Sequence, residues 1–282
     1  MCSSDLDFYV PWFHGRSPSV RDFVFQDGAP IAAPNTAANG PVEEFVGDDG
    51  ALGYADAKPG GRFIKIGVGV LQRLDDGPFA FAKAFPLIDG GTRTTEVKAD
   101  SVAFTQTIAD PGSGYGYHYV KRIRLLAGQP TMVIEHELKN TGSRPISTSV
   151  YDHNFLNIDG HGTPQGLRVG FPATATIDPL PRAELASAQA GSIVYKTLLT
   201  SDQRVTAGFK GFGGAVADYD FHVTDPARGL GVHITADIPV DRAQLWSIAP
   251  VMAIEPFVKF TVQPGQTFRW SYRYDYQADG VS

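Results

Sequence analysis

From Arg62 onward the chain is a succession of short β-branched and aromatic runs broken by turn residues, a pattern that leaves little room for anything but an antiparallel β architecture. Phe63–Leu74, Phe79–Ile88, Thr92–Val97, Ser101–Ile108, His118–Leu126 and Met132–Lys139 are separated at Asp75-Asp76-Gly77, Asp89-Gly90-Gly91, Ala99-Asp100, Pro111-Gly112 and Ala127-Gly128. Gly, Pro, Asp and Asn end strands because they supply turn conformations at low cost, and strands recurring every 10 to 15 residues or so make a meander. After Gly160 the same texture continues through Gly166–Phe171, Ala173–Ile177, Ser192–Leu199, Gly208–Phe212, Asp218–Val223, Gly229–Ala236, Arg242–Ser247, Val251–Val262 and Thr267–Tyr276. Arg182–Ala190 is the one stretch expected to form a short helix. Residues 7–62 are rich in Gly, Pro, Asp and Asn, with Ala29–Gly40 expected as an irregular loop. With no repeat and no linker, residues 7–282 are expected to be one domain of two large packed sheets, an antiparallel β-supersandwich.

Composition supports this reading and narrows the partners. The 282 residues include 31 Gly, 20 Pro, 18 Phe and 11 Tyr, with only 19% charged, enough for one large all-β domain or two ordinary ones. A net charge of −6 argues against nucleic acid or an anionic membrane as the main partner, since both reward a basic face. No apolar window of about 18 residues marks a transmembrane helix, so a soluble protein is expected. Met1-Cys2-Ser3-Ser4-Asp5-Leu6 reads as a translated sequencing adaptor and is set aside from fold reasoning. On that reading the gene comes from environmental DNA, its true start is missing, Cys2 is not native, thiolate metal sites are excluded, and the compartment stays open.

One segment carries chemistry. Val133, Glu135, Glu137 and Lys139 alternate with Ile134, His136 and Leu138, the period of a half-buried strand, and Asn140-Thr141-Gly142-Ser143 supplies the turn that ends it. Pro145 restarts the chain, and the run Ile146–Ile158 then holds Asp152-His153-Asn154 between Tyr151, Phe155, Leu156 and Ile158. Polar groups inside an apolar frame need hydrogen-bond partners or a ligand.

These motifs resemble the galactose mutarotase (aldose 1-epimerase) superfamily, in which a strand ending in N-T-G is followed by a second strand and then by H-x-[YF]-F-N-L. The second motif here is His153-Asn154-Phe155-Leu156-Asn157-Ile158, with Phe155 and Leu156 where the family more often has Tyr and Phe. A second likeness is Ala253-Ile254-Glu255-Pro256 followed by Phe260–Gln266, whose Pro264-Gly265 turn launches the last strand; this resembles the family's segment with its catalytic glutamate. The resemblance implies a galactose mutarotase-like fold and a cofactor-independent, metal-free exchange of sugar anomers, with a free sugar or oligosaccharide as the partner. Such a reaction needs one acid and one base; an imidazole with a pKa near ~6.5 and a carboxylate near ~4.3 can fill these roles. The resemblance assigns them to His153 and Glu255. It also implies an N-terminal arginine and histidine motif, which this sequence lacks.

Further candidates for sugar contact are Asp152 and Asn154 beside His153, and His118 in Tyr115-Gly116-Tyr117-His118-Tyr119, where Tyr117 and Tyr119 share one strand face and His118 takes the other. Trp12, His14 and Trp246 offer flat apolar surface and donors of the kind sugars prefer. Lys65, inside the apolar run Phe63–Val68, needs a carboxylate or a ligand hydroxyl, and Glu43 or Glu44 can supply the former. His136 is expected to point inward as a structural residue. Two other functions stay open at this point: a sugar-binding module without catalysis, and a glycoside hydrolase in which Glu255 pairs with Glu43, Glu44 or Asp152.

Overall fold

The computed structural model describes residues 41–278 apart from positions 49, 81, 82, 84, 181, 190 and 201, with backbone alone at Val42 and Asp159. Trp12, His14 and the first six residues lie outside the described residues. Nineteen strands are present among them: β1 (Pro41–Val46), β2 (Arg62–Lys65), β3 (Gly69–Gln72), β4 (Leu87–Asp89), β5 (Thr92–Val97), β6 (Ser101–Asp110), β7 (Tyr115–Leu125), β8 (Thr131–Asn140), β9 (Ile146–Leu156) and β10 (Arg168–Gly170). Then follow β11 (Thr176–Ile177), β12 (Ala186–Gln189), β13 (Ser192–Tyr195), β14 (Arg204–Lys210), β15 (Asp220–Asp225), β16 (Leu230–Ala236), β17 (Arg242–Ile248), β18 (Val251–Val262) and β19 (Thr267–Ala278). Helical geometry among the described residues is confined to single turns at Ile158–Gly160 and Val216–Asp218. The strands form sheets of order β1-β9-β18-β17-β14-β11, β12-β13-β10-β15-β16-β19-β8-β7-β6-β5 and β2-β3-β4. The architecture is the all-β, antiparallel one that the turn spacing predicts.

Two local expectations are corrected. Phe63–Leu74 is not one strand but the hairpin β2–β3. Gly67 and Gly69 adopt φ of 81° and 140°, and a Cβ on Gly69 would lie 2.3 Å from the Asp89 carbonyl oxygen, so the chain turns where only glycine fits. Arg182–Ala190 is not a helix: Leu185 N–H bonds Arg182 O at 2.9 Å in a turn, and Ala186–Gln189 then pairs with β13, Ala186 opposite Tyr195. Buried Leu185 and Ala186 are better served by that ladder than by a lone helical turn. β1 begins just after the expected Ala29–Gly40 loop and carries Glu43 and Glu44, both wholly buried.

The chain divides into two compact units. The first takes the described residues up to Ile123, then Glu135–Tyr151 and Lys259–Arg269. Around β2, β3 and β4 it packs Ala51, Tyr54, Phe63, Val68, Leu71 and Phe85, with Phe79 and Leu87 against them. Tyr54 meets Phe63 edge-on at 5.0 Å, and Phe63 meets Phe85 at 5.0 Å, the geometry that aromatic quadrupoles favour. Arg73 caps this cluster: its guanidinium lies 4.5 Å over Tyr54 and donates to the carbonyls of Tyr54, Ala57, Asp75 and Gly77.

In the same unit the Asn140-Thr141-Gly142 turn is a structural knot. Asn140, wholly buried, donates through Nδ2 to Arg144 O and Val262 O at 2.8 Å each, and its Oδ1 accepts from Gly142 N–H at 3.0 Å. Its backbone N–H meets Gln266 O at 2.9 Å, and its carbonyl accepts from Gly265 N–H at 2.9 Å. A Cβ on Gly142 would come within 2.6 Å of Gly114 O and Gly116 N. The N-T-G and P-G turns therefore meet through the backbone of Asn140, while its side chain ties the turn to Val262 on β18.

The second unit comprises Arg124–Ile134, Asp152–Val258 and the chain from Trp270. Its strands alternate cleanly, with Phe221 and Val223 on β15, Val205, Ala207 and Phe209 on β14, and Ala243, Leu245 and Ser247 on β17 facing inward. β18 differs: Val251–Val258 is buried at every position, as befits a central strand covered on both faces. Glu255 sits in that run.

Candidate functional site

His153 and Glu255 come together. On β9 the side chains alternate, so His153 and Phe155 share one face while Asp152 and Asn154 take the other. On β18 and β17 the register Gln244↔Glu255 and Trp246↔Ala253 places Glu255 and Trp246 on one face. His153 Nδ1 lies 2.8 Å from Glu255 Oε1, with the imidazole 15% and the carboxylate 5% exposed. The Phe155 ring stacks on the imidazole at 4.6 Å with an interplanar angle of 6°, and Trp246 meets Phe155 edge-on at 6.2 Å. The result is a largely buried imidazole–carboxylate pair packed against the Phe155 ring, with Trp246 beside it. Such a pair can give a proton at one point and take one at an adjacent point.

Asp152 and Asn154, expected beside His153, are turned away from it. Both are wholly buried. Tyr274 Oη lies 2.8 Å from Asp152 Oδ2 and 2.7 Å from Asn154 Oδ1, and Asn154 Nδ2 donates to Ile254 O at 2.8 Å. Tyr219 belongs to this buried group; burial foremost, and then the Asp152 charge, push its hydroxyl well above the usual tyrosine range. Strand alternation is the reason: neighbours in sequence on β9 cannot serve the same face. The Asp-His-Asn string thus splits into one residue at the imidazole–carboxylate pair and two in a buried hydrogen-bond cluster.

The remaining candidates in the first unit have partners there. Lys65 Nζ is 2.5 Å from Glu44 Oε1, both buried, so the lysine is answered by one of the two glutamates proposed for it. Glu43 takes a different partner: Lys121 Nζ lies 2.8 Å from its Oε2, and His136 Nε2 is 3.6 Å from its Oε1. His136 points inward, its Nδ1 2.9 Å from Tyr119 Oη. Burial, and secondarily the Lys121 charge, hold it well below the usual imidazole range, while burial raises Glu43 against the opposing pull of Lys121. His118 is half-buried on the face of β7 away from buried Tyr117 and Tyr119, its Nδ1 2.9 Å from Thr107 Oγ1.

Two features of the second unit escaped the sequence reading. Phe155, seen only as apolar framing, is the ring that fixes His153. Asp220, His222 and His233 gather on β15 and β16, a cluster visible only once the hairpin register is known. An apolar hollow of about 870 Å³, lined by Pro130, Leu156, Ile158, Leu230, Val232 and Tyr276 among others, includes neither His153 nor Glu255. Among the described residues no helix is long and apolar enough to cross a membrane.

No family model and no curated protein matches the sequence. Similarity lies with solved structures. A protein of Escherichia coli K12 named as a candidate aldose 1-epimerase superposes with a TM-score of 0.54 at 14% identity, over 86% of this chain and 85% of that one. A galactose mutarotase related enzyme from Lactobacillus acidophilus gives 0.52 at 12%, over 86% and 85%. A GalM/aldose epimerase homologue from C. elegans gives 0.50 at 13%, over 83% and 82%. The chain has the galactose mutarotase-like β-sandwich fold.

Proposed function

We propose that the protein is a cofactor-independent aldose 1-epimerase, exchanging the anomers of a free sugar or of an oligosaccharide reducing end. The observation that carries this reading is the 2.8 Å contact between His153 and Glu255 on one sheet face. The ring oxygen and the anomeric hydroxyl of a sugar are bonded to the same carbon, so the acid and the base that serve them must stand side by side. Protonated His153 gives its proton to the ring oxygen as the C1–O5 electron pair moves to that oxygen. Ionised Glu255 takes the proton of the anomeric hydroxyl, and C1=O1 forms. After a half-turn about C1–C2 the steps reverse: His153 recovers the proton as the ring oxygen attacks C1, and Glu255 returns its own to O1. The 2.8 Å contact keeps the acid and the base adjacent, and Phe155 with Trp246 offers an apolar surface to the C–H face of the sugar.

Polarimetry on freshly dissolved α-glucose, α-galactose and reducing disaccharides tests this. Wild-type protein should accelerate mutarotation above buffer, and His153→Ala and Glu255→Gln should each lower the rate by about 10² to 10⁴ while sugar binding, followed calorimetrically, persists. Binding without exchange in the wild type would make the protein a sugar-binding module instead.

A further inference from the structure

We propose that Asp220, His222 and His233 form a binding site for one divalent metal ion of the zinc class on the half-exposed face of the β15–β16 hairpin. The three residues each offer a ligand atom, and these atoms lie within 4.8 Å of one another. His222 and His233 are cross-strand partners, their rings stacked at 3.9 Å with an interplanar angle of 9°. Both turn Nε2 toward the same carboxylate oxygen: Asp220 Oδ1 is 3.2 Å from His222 and 2.6 Å from His233. Zinc–nitrogen and zinc–oxygen bonds of roughly 2.0–2.2 Å in tetrahedral geometry put ligand atoms roughly 3.3 Å apart, so small side-chain rotations bring the three donors to metal distance. The side chains are 42%, 43% and 28% exposed for His222, Asp220 and His233, which leaves those rotations free.

Asp220 Oδ1 can accept from both rings, and the same convergence of two stacked imidazoles on one carboxylate oxygen is the donor arrangement a cation takes. Two imidazolium ions at that distance repel, and a neutral ring presents either a lone pair or an N–H to the carboxylate. A cation among the three atoms satisfies all of them. Gly170, paired with His222 across β10 and β15, contributes by what it lacks: a Cβ there would lie 3.3 Å from His222 Cβ and 3.8 Å from its ring. On the other side Asp275 is the cross-strand partner of His233 and adds a second carboxylate beside the cluster, held by Arg273 and Thr131. Two imidazoles and one carboxylate form a donor set of the zinc type, with a fourth position left for water or a ligand oxygen.

The test uses the full chain stripped with chelator, titrated with Zn²⁺ by calorimetry and with Co²⁺ by visible absorption. One equivalent should bind, the cobalt band should disappear on adding Zn²⁺, and His222→Ala and His233→Ala should each weaken affinity by about tenfold or more. His161→Ala serves as the control and should leave affinity unchanged. Asp220→Asn, which keeps hydrogen bonding to the rings but removes the charge, should also weaken binding, and it carries the test if a histidine variant loses its far-ultraviolet β signature. No saturable binding below millimolar Zn²⁺, or equal binding in wild type and the His222→Ala/His233→Ala double variant, would overturn the assignment.

Discussion

Replacing Asn140 by alanine should cost far more than a turn substitution usually does. The wild-type side chain makes three hydrogen bonds from a fully buried position, two donated to Arg144 O and Val262 O and one accepted from Gly142 N–H. A net bond is worth about 1 kcal/mol, and a buried carbonyl left without its donor adds a penalty of about 1–3 kcal/mol. The Val262 carbonyl is such a group; Arg144 and Gly142 lie nearer solvent and can recruit water. The sum is about 3 kcal/mol, or about 5 °C in melting temperature for a chain of this length. Asn140→Asp discriminates further, since it keeps the acceptor for Gly142 and discards both donors, and it should recover no more than about 1 kcal/mol. Thermal and urea unfolding of the three proteins, with the denaturant slope checked for constancy, measure this. A loss below about 1 kcal/mol in Asn140→Ala would show that the turn is held by its backbone bonds, and that the N-T-G motif has no structural claim on Asn140.

Tyr274→Phe should destabilise by about 1–3 kcal/mol, because Asp152 Oδ2 and Asn154 Oδ1 lose their shared hydroxyl; anomer exchange at saturating sugar should stay within severalfold, and a large fall in rate at unchanged stability would move Asp152 into the chemistry. His136 should make stability pH-dependent. Its folded pKa lies well below the unfolded value, so the unfolded chain binds the extra proton and stability is lost as pH falls below ~6.5, by up to about 1.4 kcal/mol per pH unit. Glu43, whose raised pKa acts in the opposite sense from ~4.5 upward, lies 3.6 Å from His136, so the difference between wild type and His136→Gln reports the two together; parallel curves between pH 5 and 7 would contradict the assignment.

Much of this molecule is legible in its sequence because strand alternation and turn chemistry are local. The long strands β6 to β9, β18 and β19 fall where alternating and apolar runs place them, and the adjacency of His153 and Glu255 follows from motif likeness. What fails is non-local. Glu43 and Glu44 are both candidates for Lys65 in sequence, and nothing local reveals that Lys121 arrives from β7 to take Glu43 while Lys65 takes Glu44. Arg182–Ala190 reads as a helix because nothing local reveals that Ile193–Tyr195 will offer it a ladder. Asp152 and Asn154 stand beside His153 in sequence, but the two-residue period of the same strand sends them to the opposite face. His222 and His233 stand equidistant from the Pro226–Gly229 turn, a signal that becomes readable only when the four-residue loop fixes the register.

Magnetisation-exchange NMR between the α and β anomer signals of glucose and galactose at equilibrium tests the central reading most directly, since it measures the exchange rate without any coupled reaction. Wild-type protein should produce exchange well above the buffer rate for at least one sugar, abolished alike by His153→Asn and Glu255→Gln in variants that retain the wild-type melting temperature. Exchange that survives both substitutions, or wild-type exchange no faster than buffer for sugars that demonstrably bind, would contradict the assignment of acid and base to this pair.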